Sequence, residues 1–278
     1  MASIDDLTGW ALAWLKAKKK KPLMLQRTAY FVPGLTDEDA GCWTGKNSIA
    51  EWGPKVFANW DTHARIVTFK YPYPSPMRSF FDFADDLRAE IAMAYPDNGL
   101  AVGEYDLVSH SMGALDALAA LFDDAYAART NPPIKRIANA FNFVSFDAPY
   151  GGVPNAEARK ALTTPDRAEQ CDCLMVNSPE LGIISGLRKR VPDRISRVTC
   201  YGADSTFQVE VQQPDMYPQN GPWKFERKRV GYRYFRIPGS SHSGGLGCTK
   251  SVIAIANLFE TLGTSKAKPA ATLKAPSQ

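Results

Sequence analysis

Ser111, Asp204 and His242 have the types, and the order along the chain, for acyl transfer by a serine. A serine hydroxyl is a weak nucleophile at neutral pH; it needs a base within hydrogen-bond reach and a third group that fixes the tautomer of that base. Ser111 stands in Ser109-His110-Ser111-Met112-Gly113, after the run Tyr105-Asp106-Leu107-Val108 and before the helix-like run Ala114 to Phe122. A nucleophile on a sharp turn from strand to helix is held in strained backbone geometry, so the residues two places to either side must be small. Ser109 and Gly113 meet that requirement. Most serines before a helix only cap it; the acid and the histidine downstream favour the nucleophile.

The base is chosen from three histidines. His110 adjoins the serine, where a sharp turn sends its side chain away, and His63 precedes the serine instead of following it. His242, in Gly239-Ser240-Ser241-His242-Ser243-Gly244-Gly245, sits between a strand-like and a helix-like run. Loops of that kind lie at the carboxyl end of a parallel sheet, where ligands bind. For the acid, Asp204 in Tyr201-Gly202-Ala203-Asp204 is favoured because it falls just before the strand that leads to His242. Asp147, in Asp147-Ala148-Pro149-Tyr150-Gly151-Gly152, is the rival, with a turn cap as its other reading. The oxyanion of a tetrahedral intermediate needs pre-aimed backbone donors. Met112 N–H supplies one and Leu35 N–H, in Phe31-Val32-Pro33-Gly34-Leu35, the other; turn formation equally accounts for Pro33-Gly34.

Strands and helices must alternate to hold these residues. Strand patterns run from Arg27 to Val32, Ala64 to Phe69, Asn139 to Phe146, Ser196 to Tyr201 and Tyr232 to Ile237. Helical patterns lie around Ile49 to Trp60, Ser79 to Ala94 and Ser251 to Leu262. Parallel strands need crossover connections, so this alternation predicts an α/β fold: a mostly parallel sheet with helices on both faces. Between Pro149 and Arg194 lies a connection too long for a bare loop, with helix-prone pieces at Asn155 to Leu162 and Leu181 to Arg190. A lid over the serine, at about 150–194, is expected. The body then spans 23–262. Residues 263–278 are poor in bulky apolar side chains and are expected to be a disordered tail.

At 278 residues and 45% hydrophobic content the chain can bury one large core. Its net charge of +4 is too small to imply nucleic acid, and the excess sits in Lys16 to Lys21 and in the tail. An odd cysteine count of 5 leaves at least one thiol unpaired, and a reducing, cytoplasmic compartment is the simplest reading. Cys171-x-Cys173 has the alternatives of a strained bridge or a metal site; no zinc-ligand spacing is present, and no metal is expected. No run of 18 apolar residues exists, and the acid-first order of the N-terminus is the reverse of a secretory signal.

Residues 1–22 form a separate unit. Ile4, Leu7, Trp10, Ala11, Trp14 and Leu15 recur at helical spacing, Ser3 is available as a cap, and Lys16, Lys18, Lys19, Lys20 and Lys21 follow. Two readings stand: an amphipathic helix packed on the body, or a peripheral membrane contact through residues 4–21 on anionic lipid.

The loop 31–35, the serine turn 108–114, the acid segment 201–204 and the histidine segment 241–244 together resemble the α/β-hydrolase superfamily, in its lipase, esterase and palmitoyl-thioesterase-like branches. There the serine is usually flanked as Gly-His-Ser-Met-Gly-Gly; here Ser109 and Ala114 replace two glycines, and Pro33 stands where histidine is common. Asp147 to Gly152 looks like the Pro-His-Gly-Gly turn of those lipases with Tyr150 for histidine, and Asn177-Ser178-Pro179-Glu180-Leu181 is similar to a segment of their lid. The resemblance covers roughly Arg27 to Leu262. It implies cleavage of a carboxylic ester with a hydrophobic acyl group, without a cofactor. Thioester or amide cleavage and acyl transfer share the triad and stay open, as does a non-catalytic binding module on the same fold.

Overall fold

The computed structural model describes residues 28–35, 41–45, 48, 65–70, 78–96, 105–122, 136–152, 168–187, 190, 194–203 and 231–237. In chain order the elements are β1 (Thr28–Val32), α1 (Gly41–Thr44), β2 (Arg65–Thr68), α2 (Phe80–Ala94), β3 (Tyr105–His110), α3 (Gly113–Leu121), β4 (Ala140–Phe146), α4 (Ala168–Cys173), α5 (Pro179–Leu187), β5 (Ile195–Ala203) and β6 (Gly231–Ile237). The strands form one sheet in the order β2-β1-β3-β4-β5-β6, and every neighbouring pair is parallel. The expected parallel α/β architecture is therefore present, and each expected strand appears within two residues of its predicted bounds. The helical patterns at 49–60, 155–162 and 251–262, the N-terminal unit and the tail lie outside the described residues.

Parallel strands are covered on both faces, so their sequences read as apolar runs without alternation. β1, β3 and β4 are buried along their whole length. On one face Tyr30, Val32, Tyr105, Leu107 and Phe143 join a single apolar core with α2 and α3. On the other, Trp43 of α1 packs edge-on against Phe31 of β1 and Phe146 of β4, with ring centroids 5.0 and 6.1 Å away. It spans β3, which runs between those two strands.

α3 has the sequence GALDALAAL, and all nine of its residues are buried. Small side chains let it lie close to the sheet and to its helical neighbours. Its C-terminal carbonyls are satisfied by Arg88 of α2, fully buried, whose Nε donates to Ala120 O (2.9 Å) and whose Nη2 donates to Ala119 O (3.2 Å). A cation at this end also suits the negative pole of the helix. α2 starts at Ser79, whose N–H and hydroxyl both donate to the Asp82 carboxylate, at 2.7 and 2.9 Å. Of its buried positions, Phe80, Phe83, Ala84, Leu87, Arg88 and Ile91 recur at three- and four-residue steps, the pattern of a one-faced helix, and Phe81 is buried beside them.

One irregularity in the sheet has a polar remedy. Between Tyr105 and Asp106 the β3–β4 register shifts, leaving Phe141 as the extra residue. The Asp106 carboxylate accepts from the Asn142 N–H (3.1 Å) and from Asn142 Nδ2 (2.7 Å), so the bulge leaves that backbone donor paired.

Of the segment expected as a lid, 153–167, 188–189 and 191–193 lie outside the described residues, and the described part sends apolar side chains into the core. Cys173, Leu174, Leu181, Ile184 and Leu187 are all buried in the apolar cluster that contains α3. Cys171 and Cys173 are buried and are not joined by a disulfide.

Candidate active site

Ser111 follows the last residue of β3 and stands two residues before α3, and its backbone is left-handed, with φ 53°. For a side chain larger than glycine's that geometry costs about 1 kcal/mol or more, and it persists only where the surroundings impose it. Here they do so on three sides. The Ser111 N–H donates to Phe146 O (2.9 Å), which ties the turn to the end of β4. Its own carbonyl accepts from Ala114 N (3.1 Å), the first hydrogen bond of the helix. Gly34 lies against its side chain: a Cβ built on Gly34 would meet Ser111 Cβ at 2.7 Å and His110 Nδ1 at 3.3 Å.

The small residues around the serine each have an observed reason. A Cβ on Gly113 would approach Pro33 O to 2.1 Å and Val32 O to 2.8 Å, so the start of α3 abuts the end of β1. Ser109 is fully buried and its hydroxyl donates to Val144 O (3.0 Å), which is how a serine is accommodated where glycine is usual. His110 is 6% exposed and packs beside Gly34, its Nδ1 3.3 Å from where a Gly34 Cβ would lie.

Met112 begins the first helical turn, and Leu35 directly follows the glycine pressed against Ser111. The two expected oxyanion donors therefore belong to the two backbone segments that flank the serine. Asp147, the rival acid, is also at this end of the sheet: it follows Phe146, is 5% exposed, and has φ 57°. Asp204 and His242 lie outside the described residues. The chain meets Asp204 one residue after Ala203 ends β5, and His242 five residues after Ile237 ends β6.

Two residues of the Asp147-to-Gly152 turn bear on this site. Tyr150 carries a phenol whose ionisation burial pushes well upward, with Cys200 acting in the same direction, so it stays neutral. Gly152, with φ 88°, docks on the segment after α4: a Cβ there would meet Leu181 Cδ1 at 2.7 Å and Val176 N at 2.8 Å. Ser178 ties that segment to itself, its hydroxyl donating to Cys173 O (2.6 Å) and accepting from Leu181 N (3.2 Å). The Asn177-to-Leu181 motif is thus the cap of α5, held under the β4 turn. Among the described residues no cluster of His, Cys, Asp or Glu has the arrangement to hold a metal ion.

A parallel sheet of this strand order, with a left-handed serine between its third strand and the following helix, is the α/β-hydrolase fold. Three solved structures are similar to this chain. A bromoperoxidase from Bacillus anthracis superposes with TM-score 0.50 at 12% identity, over 84% of this chain and 92% of its own. A peroxisomal α/β-hydrolase from Saccharomyces cerevisiae gives 0.49 at 13% identity, over 93% and 83% of the two chains. A thermophilic esterase from Thermogutta terrifontis gives 0.45 at 13%, over 86% and 91%. No protein-family model and no curated protein matches the chain in sequence.

Proposed function

We propose that the protein is a serine hydrolase of carboxylic esters with a lipophilic acyl group, acting through an acyl-enzyme. The observation that carries this reading is Ser111 itself, held at φ 53° between β3 and α3 with Gly34 against it. A capping serine needs neither the left-handed backbone nor the glycine contact; an exposed nucleophile on a tight turn needs both.

In this reading Ser111 Oγ attacks the ester carbonyl carbon while His242 takes its proton, and Asp204 orients the imidazole and stabilises its charged form. The carbonyl oxygen becomes an oxyanion and accepts from the N–H groups of Met112 and Leu35. Collapse expels the alcohol, which takes the proton from His242 and leaves the acyl group on Ser111. Water, deprotonated by His242, then attacks the acyl carbon and releases the acid. The connectivity supports this assignment: in a sheet whose strands are all parallel, the residues following β3, β4, β5 and β6 leave from one common edge.

The test is Ser111→Ala assayed on p-nitrophenyl esters of increasing acyl length, alongside fluorophosphonate labelling. A fall in kcat of about 10³-fold or more and loss of the label are expected. Full turnover by the alanine variant would falsify the proposal. Competing alcohol and amine acceptors separate hydrolysis from acyl transfer.

A further inference from the structure

We infer that His110 is a positioning residue for the oxyanion loop: its buried imidazole seats Gly34, and with it the Leu35 N–H, against the serine. This rests on the reading of Ser111 as nucleophile and of Leu35 N–H as an oxyanion donor.

The strand ladder stops short of that loop. β1 pairs with β3 from Thr28↔Tyr105 to Val32↔Ser109, and with β2 only as far as Phe31↔Thr68. On its other side β3 stays paired one residue longer, His110 with Phe146 of β4. The β1 residue next in register with His110 is Pro33, which has no N–H to give a neighbouring strand. Just below the serine the β1 chain therefore leaves the sheet, and packing has to fix its path. Leu35 is held by the apolar core, against which its side chain packs. Gly34 has no side chain to anchor it. The three heavy atoms nearest to where its Cβ would lie are Ser111 Cβ (2.7 Å), His110 Nδ1 (3.3 Å) and His110 O (3.3 Å).

Two of those three atoms belong to His110, and Nδ1 is the one polar side-chain atom among them. The ring is a fixed reference for the loop. It stands on β3, a strand buried along its whole length, and His110 itself is 6% exposed. A nitrogen so buried takes its partner from the protein or an ordered water and not from bulk solvent. An oxyanion donor is effective only when it is aimed at the developing charge, and losing one costs about 10²–10³-fold in kcat. His110 thus acts on the reaction through Gly34 and Leu35, and the polar atom that matters is at the δ position.

The test compares His110→Leu, His110→Asn and His110→Gln with wild type on a soluble p-nitrophenyl ester. Leucine fills much of the space with no polar atom, asparagine keeps polar atoms at the δ position, and glutamine moves them to the ε position. His110→Leu should lower kcat about 10²-fold with KM near wild type. Its affinity for a trifluoromethyl ketone, whose adduct places an oxyanion on the same donors, should fall in step with kcat/KM. Affinity for an ether analogue of the ester, which forms no adduct, should not change. His110→Asn should recover kcat to within about tenfold of wild type, and His110→Gln should not. The Asn and Gln pair decides the matter even if the leucine variant does not fold. The inference is overturned if His110→Leu keeps wild-type kcat, if both inhibitors weaken equally, or if Asn and Gln are equally active. It is also overturned if His110→Asn is as inactive as His242→Ala, the outcome of direct proton transfer by His110. A wild-type chain that cleaves no ester and takes no fluorophosphonate label removes the nucleophile reading and this inference together; an active wild type with an indifferent leucine variant removes this inference alone.

Discussion

Gly34 lies against the Ser111 side chain: a methyl group on Gly34 would stand 2.7 Å from Ser111 Cβ, well inside van der Waals contact. Neither side of that contact is the far end of a flexible chain. Gly34→Ala must therefore displace either the serine or the loop that carries Leu35 N–H. We expect kcat on a soluble ester to fall about 10²-fold, the usual cost of a misplacement near 1 Å. The thermal midpoint should drop by only a few degrees. A Gly34→Ala enzyme with wild-type kcat would remove residues 33–35 from the proposed oxyanion site.

Two aspartates compete for one role, and activity separates them. Asp204→Asn should lower kcat about 10⁴-fold, because an amide no longer stabilises the imidazolium or fixes its tautomer. Asp147→Asn should stay within about tenfold of wild type, since asparagine keeps the left-handed backbone and the shape of the turn. The opposite ranking, measured on both variants at one pH, would move the acid to Asp147.

Asp85 on α2 makes stability depend on pH. Burial lifts its carboxyl from 3.8 to about 6, with Asp82 and Asp86 adding to the rise while Arg88 and Arg78 oppose it. A carboxyl raised in the folded state favours the protonated form, so its stabilising share is present below the unfolded pKa and is lost as pH climbs through about 6. Asp85→Asn mimics the neutral form. Urea midpoints should show the variant more stable than wild type at pH 7.5 and equal to it near pH 4. Parallel pH profiles for the two proteins would contradict this.

Arg88 closes the far end of the helix that begins at the serine turn. Arg88→Met keeps the length of the side chain but removes the donors that Arg88 gives the Ala119 and Ala120 carbonyls, of which Ala119 O keeps the Phe122 N–H (3.1 Å). Loss of a charged donor at each of these buried carbonyls should cost about 2 kcal/mol of unfolding free energy. Denaturant melts give the value directly. A loss under about 1 kcal/mol would mean that those carbonyls find other partners.

The local signals in this chain were strong because they depend on near neighbours. Apolar runs such as TAYFV and AFNFV are strands in any parallel sheet, and the helical pattern from Ser79 to Ala94 rests on spacings of three and four residues. Ser111 was legible for the same reason, since its turn demands small residues at fixed offsets. The segment at 150–194 was not, because length alone describes a lid and a crossover equally well. Only packing shows that Leu181, Ile184 and Leu187 are core.

By itself, then, the amino-acid order determined the alternation of strands and helices and singled out the serine, its two expected backbone donors and the candidate acids and base. The tertiary structure decided what no local pattern encodes. It set β1 and β4 on either side of β3, brought Phe146 O to the Ser111 N–H, and pressed Gly34 against the serine's side chain. The physical reason is range: a strand's apolar sequence says that it will be buried, but its neighbours are chosen by the collective burial of every strand and helix at once.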